Sequence, residues 1–344
     1  MEIEPLSMKR VFLYMFLAAV VMAGCGSSPK KESSAKAQQE SKVVEPAAIV
    51  PVFDGDSAYN FVAAQVAFGP RVPNSAAHRK CGEYLVELLR AYGADVVTQD
   101  VDLKAYTGDV LKARNIIAQF QPEKKERIML FAHWDSRPWA DSDPDKANHY
   151  KPILGANDGG SGVGVLLEVA RHLSQVPTKL GIDIILFDAE DYGIHENDRE
   201  KYRSVNHSWA LGSQHWAMNP HKKNYEARYG ILLDIVGAKG SKFYQESYSL
   251  HFAPNIVSKV WEWAHKIGYK DYFVPEESGA ITDDHYYVNS IYGIPCIDII
   301  NCDPESPNGF GPYHHTVKDD MDWIDPDVLK AVGQTVLTVI YNEK

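Results

Sequence analysis

The 344-residue sequence predicts a single α/β domain built on a largely parallel, buried sheet, preceded by a short leader and tether. Three observations carry this expectation. Short, almost continuous apolar runs at 128–132, 182–187, 231–233 and 296–300 alternate with helix-periodic segments, the pattern of strands covered on both faces. Each run ends in polar or ionisable residues, where α/β sheets place their ligands. The composition, 45% hydrophobic and 11% aromatic, supplies a large core. A net charge of −11 argues against nucleic acid as a partner, because phosphate binding needs clustered Lys and Arg.

Residues 1–24 read as a signal peptide. Lys9 and Arg10 precede fourteen uncharged, mostly apolar residues (11–24), too short a run to span a bilayer. Val21, Met22, Ala23 and Gly24 before Cys25 resemble a bacterial lipobox, with Met22 where Leu is more usual. That likeness implies acylation of Cys25 and a lipid-anchored protein of the cell envelope or periplasm, touching membrane only through its lipid. An ordinary signal peptide followed by an ordinary thiol is the alternative, and Met8 is an alternative start. Residues 25–47, rich in Ser, Lys, Gln, Glu and Ala without periodicity, read as a flexible tether.

The domain itself is expected over 48–344. Apolar spacing predicts helices over 61–67 and 81–90, then strands over 95–103 and 115–120. Further helices are expected over 162–175, 208–218, 252–267 and 326–341, between the four apolar runs. Cys81, Cys296 and Cys302 are expected as buried thiols rather than as a disulfide. The charged stretch 192–206 reads equally as a lid or as a solvated excursion.

The chemistry collects at the strand ends: His133 and Asp135, Asp158, Glu190 and Asp191, Asp234, the Asp283-Asp284-His285 run, and His314-His315. Imidazole and carboxylate together suit zinc, which takes three protein ligands and one open position in catalytic sites. Taken singly each residue has a plainer reading. Asp158 could cap the helix that follows it, and Asp283-Asp284 could simply turn the chain. His314 reads as a pocket residue rather than a ligand.

The order His133-Trp134-Asp135, then Gly155-Ala156-Asn157-Asp158-Gly159-Gly160-Ser161-Gly162, then Glu190-Asp191, Asp234, Asp283-Asp284-His285 and His315-Thr316 resembles the zinc-dependent aminopeptidase-like superfamily. The segments 133–141, 187–191 and 211–216 are most similar to the animal-type glutaminyl-peptide cyclotransferases of Bacteroidetes-like bacteria. The resemblance covers roughly residues 50 to 344. It implies a three-layer α/β/α sandwich around a mixed, mostly parallel twisted sheet, of the zinc exopeptidase kind.

It also implies roles, residue by residue. Asp158, Asp191 and His315 match the ligands of one zinc, with Asp191 one methylene shorter than the Glu more usual in animal cyclases. Glu190 matches the catalytic acid/base, and Asp234 and Asp283 match its proton-relay carboxylates. In two-zinc peptidases His133 and Asp234 would instead ligate a second ion. His314 stands where animal cyclases often carry Trp, so Trp209, Tyr313 or Trp139 is expected to wall the substrate pocket. The implied reaction is cyclisation of N-terminal Gln on peptides or proteins, with release of ammonia. The alternatives are a two-zinc aminopeptidase and a non-catalytic zinc-binding or peptide-binding lipoprotein.

Overall fold

The computed structural model describes residues 49–302 and 309–344. The signal peptide, Cys25 and the tether lie outside the described residues. Two helices open the fold. In α1 (Gly55–Val66) the Asp54 carboxylate accepts from the Ser57 amide, and in α2 (Ala76–Ala91) the Ser75 hydroxyl accepts from the His78 amide. Both are N-caps that satisfy otherwise orphaned donors. β1 (Asp95–Lys104) and β2 (Val110–Phe120) then form an antiparallel hairpin paired from Asp95–Gln119 to Lys104–Val110.

The remaining elements follow in order. They are β3 (Arg127–His133), α3 (Gly160–Leu173), β4 (Gly181–Phe187), α4 (Leu211–Met218), β5 (Gly230–Asp234) and β6 (Phe243–Gln245). After these come α5 (Ser247–Phe252), α6 (Pro254–Lys266), β7 (Phe273–Glu277), α7 (Asp284–Tyr287), β8 (Cys296–Ile300) and α8 (Pro326–Asn342). The main sheet runs β1-β2-β4-β3-β5-β8. β4, β3, β5 and β8 are parallel, whereas β2 lies antiparallel to both its neighbours. The sheet is therefore mixed, with the antiparallel part confined to its first edge. β6 and β7 form a separate parallel pair.

Alternation along the strands builds two cores. Ile128, Leu130 and Ala132 point to one face and pack with residues of α1, α3, α6 and α8. Met129 and Phe131 point to the other and pack with Trp216 and Val288. These are the three layers. Among the described residues no helix is long and apolar enough to cross a membrane.

The first two helices begin earlier than the sequence reading placed them, at Gly55 rather than 61 and at Ala76 rather than 81, and two later segments also depart from it. The segment 208–218 becomes helical only at Leu211, because Ala210 is left-handed at φ 54°. The segment 252–267 is interrupted at Ala253 (φ −141°), which ends α5 and precedes Pro254, the first residue of α6. Cys81 and Cys296 are buried free thiols, as expected, while Cys302 is half-buried.

The chain passes from β3 to β4 on one side and returns to β5 on the other, opening a crevice at the carboxyl ends of these strands. Gly162 lets α3 lie directly on that sheet. A Cβ there would stand 2.1 Å from the Leu233 carbonyl oxygen and 3.0 Å from the Ala132 side chain.

Candidate active site

Each acidic strand end is held by backbone geometry. Gly159 is left-handed (φ 79°), and a Cβ there would sit 2.8 Å from both the Asp135 carbonyl oxygen and His133 Cε1. This close turn presents Asp158 to the crevice. Asp158 does not cap α3, which starts from Gly159 without a side-chain cap. The Asp319 carboxylate accepts from the Asn157 and Asp158 amides, at 2.8 and 3.1 Å.

On the next strand the Asp135 carboxylate accepts from the amides of Glu190 (3.1 Å) and Asp191 (3.2 Å), fixing a turn in which Ala189 is left-handed at φ 55°. That turn sends the Glu190 and Asp191 side chains into the same crevice from β4. Asp234 ends β5, and Asp283 caps α7 by accepting from the Asp284 amide.

The side chains converge on Asp158. His315 Nε2 lies 3.4 Å from Asp158 Oδ2 and 3.2 Å from Asp191 Oδ1. His133 Nε2 lies 3.0 Å from Asp158 Oδ1 and 3.2 Å from Asp234 Oδ1. His314 Nε2 is farther away, 3.8 Å from Asp158 Oδ2. Two groups of three gather ligand atoms within 4.8 Å of one another: Asp158 with His314 and His315, and His133 with Asp158 and Asp234.

Asp191 has the stronger claim than His314 to complete the first group. Its Oδ1 lies 3.2 Å from His315 Nε2, whereas His314 Nε2 stands 3.8 Å from Asp158, and its Oδ2 is buried with no hydrogen-bond partner among the described residues. A buried orphan carboxylate oxygen is costly unless an ion meets it. Two ligands about 2.0–2.1 Å from a tetrahedral zinc stand about 3.3–3.4 Å apart, close to the His315 spacings. Asp158, Asp191 and His315 therefore fit a metal ion by donor set and by the spacing of both carboxylates to His315.

Burial and charge set the protonation of this cluster. Burial would raise Asp158, but hydrogen bonds from His133 and His315 hold it well below the usual carboxylate range. Burial, then Asp283, pushes Glu190 well above it. Asp283 is pushed up to about 7 by burial and by Asp234, and Asp234 is itself raised by burial despite His133. Burial and the neighbouring His315 push His314 well below the usual imidazole range, so it stays neutral.

Glu190, Asp234 and Asp283 all face a cavity of about 1230 Å³, together with Asp158, Asp191, His314 and His315. Trp209 walls it, its ring parallel to His315 at 5.8 Å and 6°. Two of the proposed walls do not line it. Tyr313 is buried, accepting from Asn301 Nδ2 at 3.0 Å and packing on Trp323, because the Pro312–His314 turn sends its ring inward. Trp139 packs between Tyr106 and Tyr192, away from the lining. Phe310, Tyr248, Tyr286 and Tyr287 are walls that the sequence reading missed. It also assigned no part to Arg137, Asp141 or Asp319, whose charges look like ordinary surface residues in sequence yet are buried here. The dense spacing of charge with Trp in residues 133–141 was the available signal.

Residues 115–340 match the profile of peptidase family M28. A Bacteroides thetaiotaomicron glutaminyl cyclase, solved with N-acetylhistamine, is 56% identical and superposes with a TM-score of 0.83 over 86% of this chain and all of its own. A zinc-dependent exopeptidase from Parabacteroides distasonis is also 56% identical, with a TM-score of 0.82 over 86% of this chain and all of that one. An aminopeptidase of Bacillus subtilis is 28% identical across 79% of this chain, which spans about half of that relative's length (54%). With that profile running from β2 into α8, over the strand ends that carry every residue of the crevice, the chain belongs to peptidase family M28.

Proposed function

We propose that this protein is a glutaminyl cyclase that converts the N-terminal Gln of peptides or proteins to pyroglutamate and releases ammonia. The observation that carries this reading is Asp283. Its carboxyl faces the same cavity as Glu190 and Asp234 and is pushed up to about 7 by burial and by Asp234, which suits it to hold a proton beside them. The likeness to a glutaminyl cyclase, 56% identical over 86% of this chain and all of that one, supports it.

Asp158, Asp191 and His315 would hold a zinc ion, which when bound supplies polarisation of the γ-carbonyl. The chain's own groups do the rest. The substrate α-amine attacks its own γ-amide carbon, so the new C–N bond forms within one molecule while the bond to the departing nitrogen breaks. Glu190 takes the proton from the attacking amine and delivers it to the leaving nitrogen as ammonia departs. A carboxylate with a raised pKa is a stronger base than an ordinary one, which suits it to the first transfer and, once protonated, to the second. Asp234 and Asp283 share the charge beside it, and Trp209 gives the glutamine side chain an apolar face.

The group formed by His133, Asp158 and Asp234 favours a second reading, a two-metal aminopeptidase. Reconstitution separates them. Chelated protein titrated with zinc regains full turnover at one equivalent if it is a cyclase of this design. A requirement for two equivalents overturns the single-ion reading. Envelope anchoring through acylated Cys25 belongs to the same proposal and rests on the leader, Lys9-Arg10 and the apolar run 11–24. Mass spectrometry of the mature N-terminus tests it.

A further inference from the structure

Arg137 is fully buried four residues beyond the end of β3. Its guanidinium donates to both oxygens of Asp141, at 2.8 and 2.6 Å. The same group donates to the Asp191 carbonyl oxygen at 3.1 Å and the Asp191 carboxylate at 3.4 Å, and to the Ile194 carbonyl oxygen at 3.3 Å. Its Cζ lies 4.5 Å from the centre of the Trp209 ring and 5.4 Å from that of Trp139.

Through Trp209 and Asp141 the cation also reaches His315. Trp209 lies parallel to the His315 ring, Asp141 Oδ1 is 3.9 Å from His315 Nδ1, and the Ser142 amide donates to the His315 carbonyl oxygen at 3.0 Å. One planar, five-donor fork thus touches both ends of the excursion that leaves Asp191 and returns at Trp209. Only a guanidinium can meet a carboxylate bidentately, two further carbonyls and two aromatic faces at once.

We propose that Arg137 is a positioning residue that locks two metal-binding side chains, Asp191 and His315, to the substrate wall Trp209 as one unit. This rests on the assignment of Asp158, Asp191 and His315 as ligands. It also defines the 192–209 segment as a strap clasped at both ends rather than a hinged lid.

Arg137→Lys keeps the charge and removes the fork. In the full-length protein we expect the zinc dissociation constant to rise about 10- to 100-fold, as loss of a partner of a metal ligand generally does. KM for a Gln-initiated peptide should rise with it. Trypsin should cut faster at the exposed Arg199, Lys201 and Arg203, because the strap has lost its anchor.

Arg127→Lys is the control for a merely structural effect. Arg127 is also buried, at the opposite end of β3, paired with Asp183 at 2.7 and 2.6 Å, and its loss should lower stability without moving zinc affinity. Unchanged zinc affinity in Arg137→Lys, or an equal shift in Arg127→Lys, overturns the proposal. If Arg137→Lys does not fold, Asp141→Asn keeps the guanidinium and frees its charged anchor. Unchanged zinc affinity in that variant is likewise contrary. A zinc-affinity shift in a protein that does not cyclise Gln supports the role of Arg137 and refutes the cyclase reading instead.

Discussion

Replacing Glu190 with Gln isolates the proton shuttle. The side chain is only 8% exposed, and Gln has nearly the same volume, so the crevice keeps its shape. The Glu190 amide still donates to Asp135, so the turn between β4 and the strap is unaffected. What disappears is a titratable group that burial and Asp283 keep well above the usual carboxylate range. General acid–base catalysis by a placed carboxyl contributes about 10²–10⁴ in rate, roughly 3–5 kcal/mol of barrier. We expect kcat for ammonia release to fall by that factor, with KM changed by less than about threefold because ground-state contacts are retained. Zinc content should match the parent protein, since Asp158, Asp191 and His315 are untouched. Removing an acid beside Asp283 and Asp191 should leave the melting temperature level or slightly higher. Ammonia release, measured with zinc content by mass spectrometry, reads both. A kcat within about tenfold of the parent would refute the shuttle, as would zinc loss as complete as that in Asp158→Ala.

The other predictions concern the metal, the backbone and pH. Asp158→Ala should lose zinc together with turnover, because this carboxylate faces both His133 and His315; a zinc-loaded Asp158→Ala protein would contradict the ligand assignment. Chelation should lower the melting temperature and zinc should restore it, since the ion binds only the folded crevice. Gly162→Ala should cost about 2 kcal/mol or more in urea unfolding, because the new methyl must displace β5. An unchanged midpoint would mean that α3 can lift without penalty. Glu168 is buried, which alone would raise it, yet hydrogen bonds from Arg171, His172 and Ser57 hold it down to about 2. Its stabilisation is therefore complete above about pH 4.5 and is lost as pH falls toward 2, so Glu168→Gln should flatten acid unfolding across that window. An identical acid limb in the two proteins would be evidence against this.

The central strands were legible in the sequence because β3, β4, β5 and β8 are buried on both faces, which leaves runs with few polar residues. The ionisable residues that end or follow β3, β4 and β5 then marked the site. β2 was read only from Asn115 because its first half, paired with β1 alone, mixes exposed charged and buried positions and lacks the apolar run of its second half. β6, β7 and α7 were missed: three to five residues give no period to detect, and β7 is largely exposed. Tyr313 illustrates a different limit. An aromatic beside His314 and His315 looks like a pocket wall in sequence, but the turn there points both histidines into the cavity and buries Tyr313 against Asn301 and Trp323. Arg137 was left without a role for a third reason. Its worth depends on Asp191 and Trp209, which only the fold brings to it.

The most direct test of the account is to give zinc-loaded protein a Gln-initiated and a Leu-initiated peptide and to follow ammonia and free amino acid together. Ammonia and a pyroglutamyl product are expected from the first peptide, and no leucine from the second. Free leucine without cyclisation would contradict it, and would make His133 and Asp234 ligands of a second zinc.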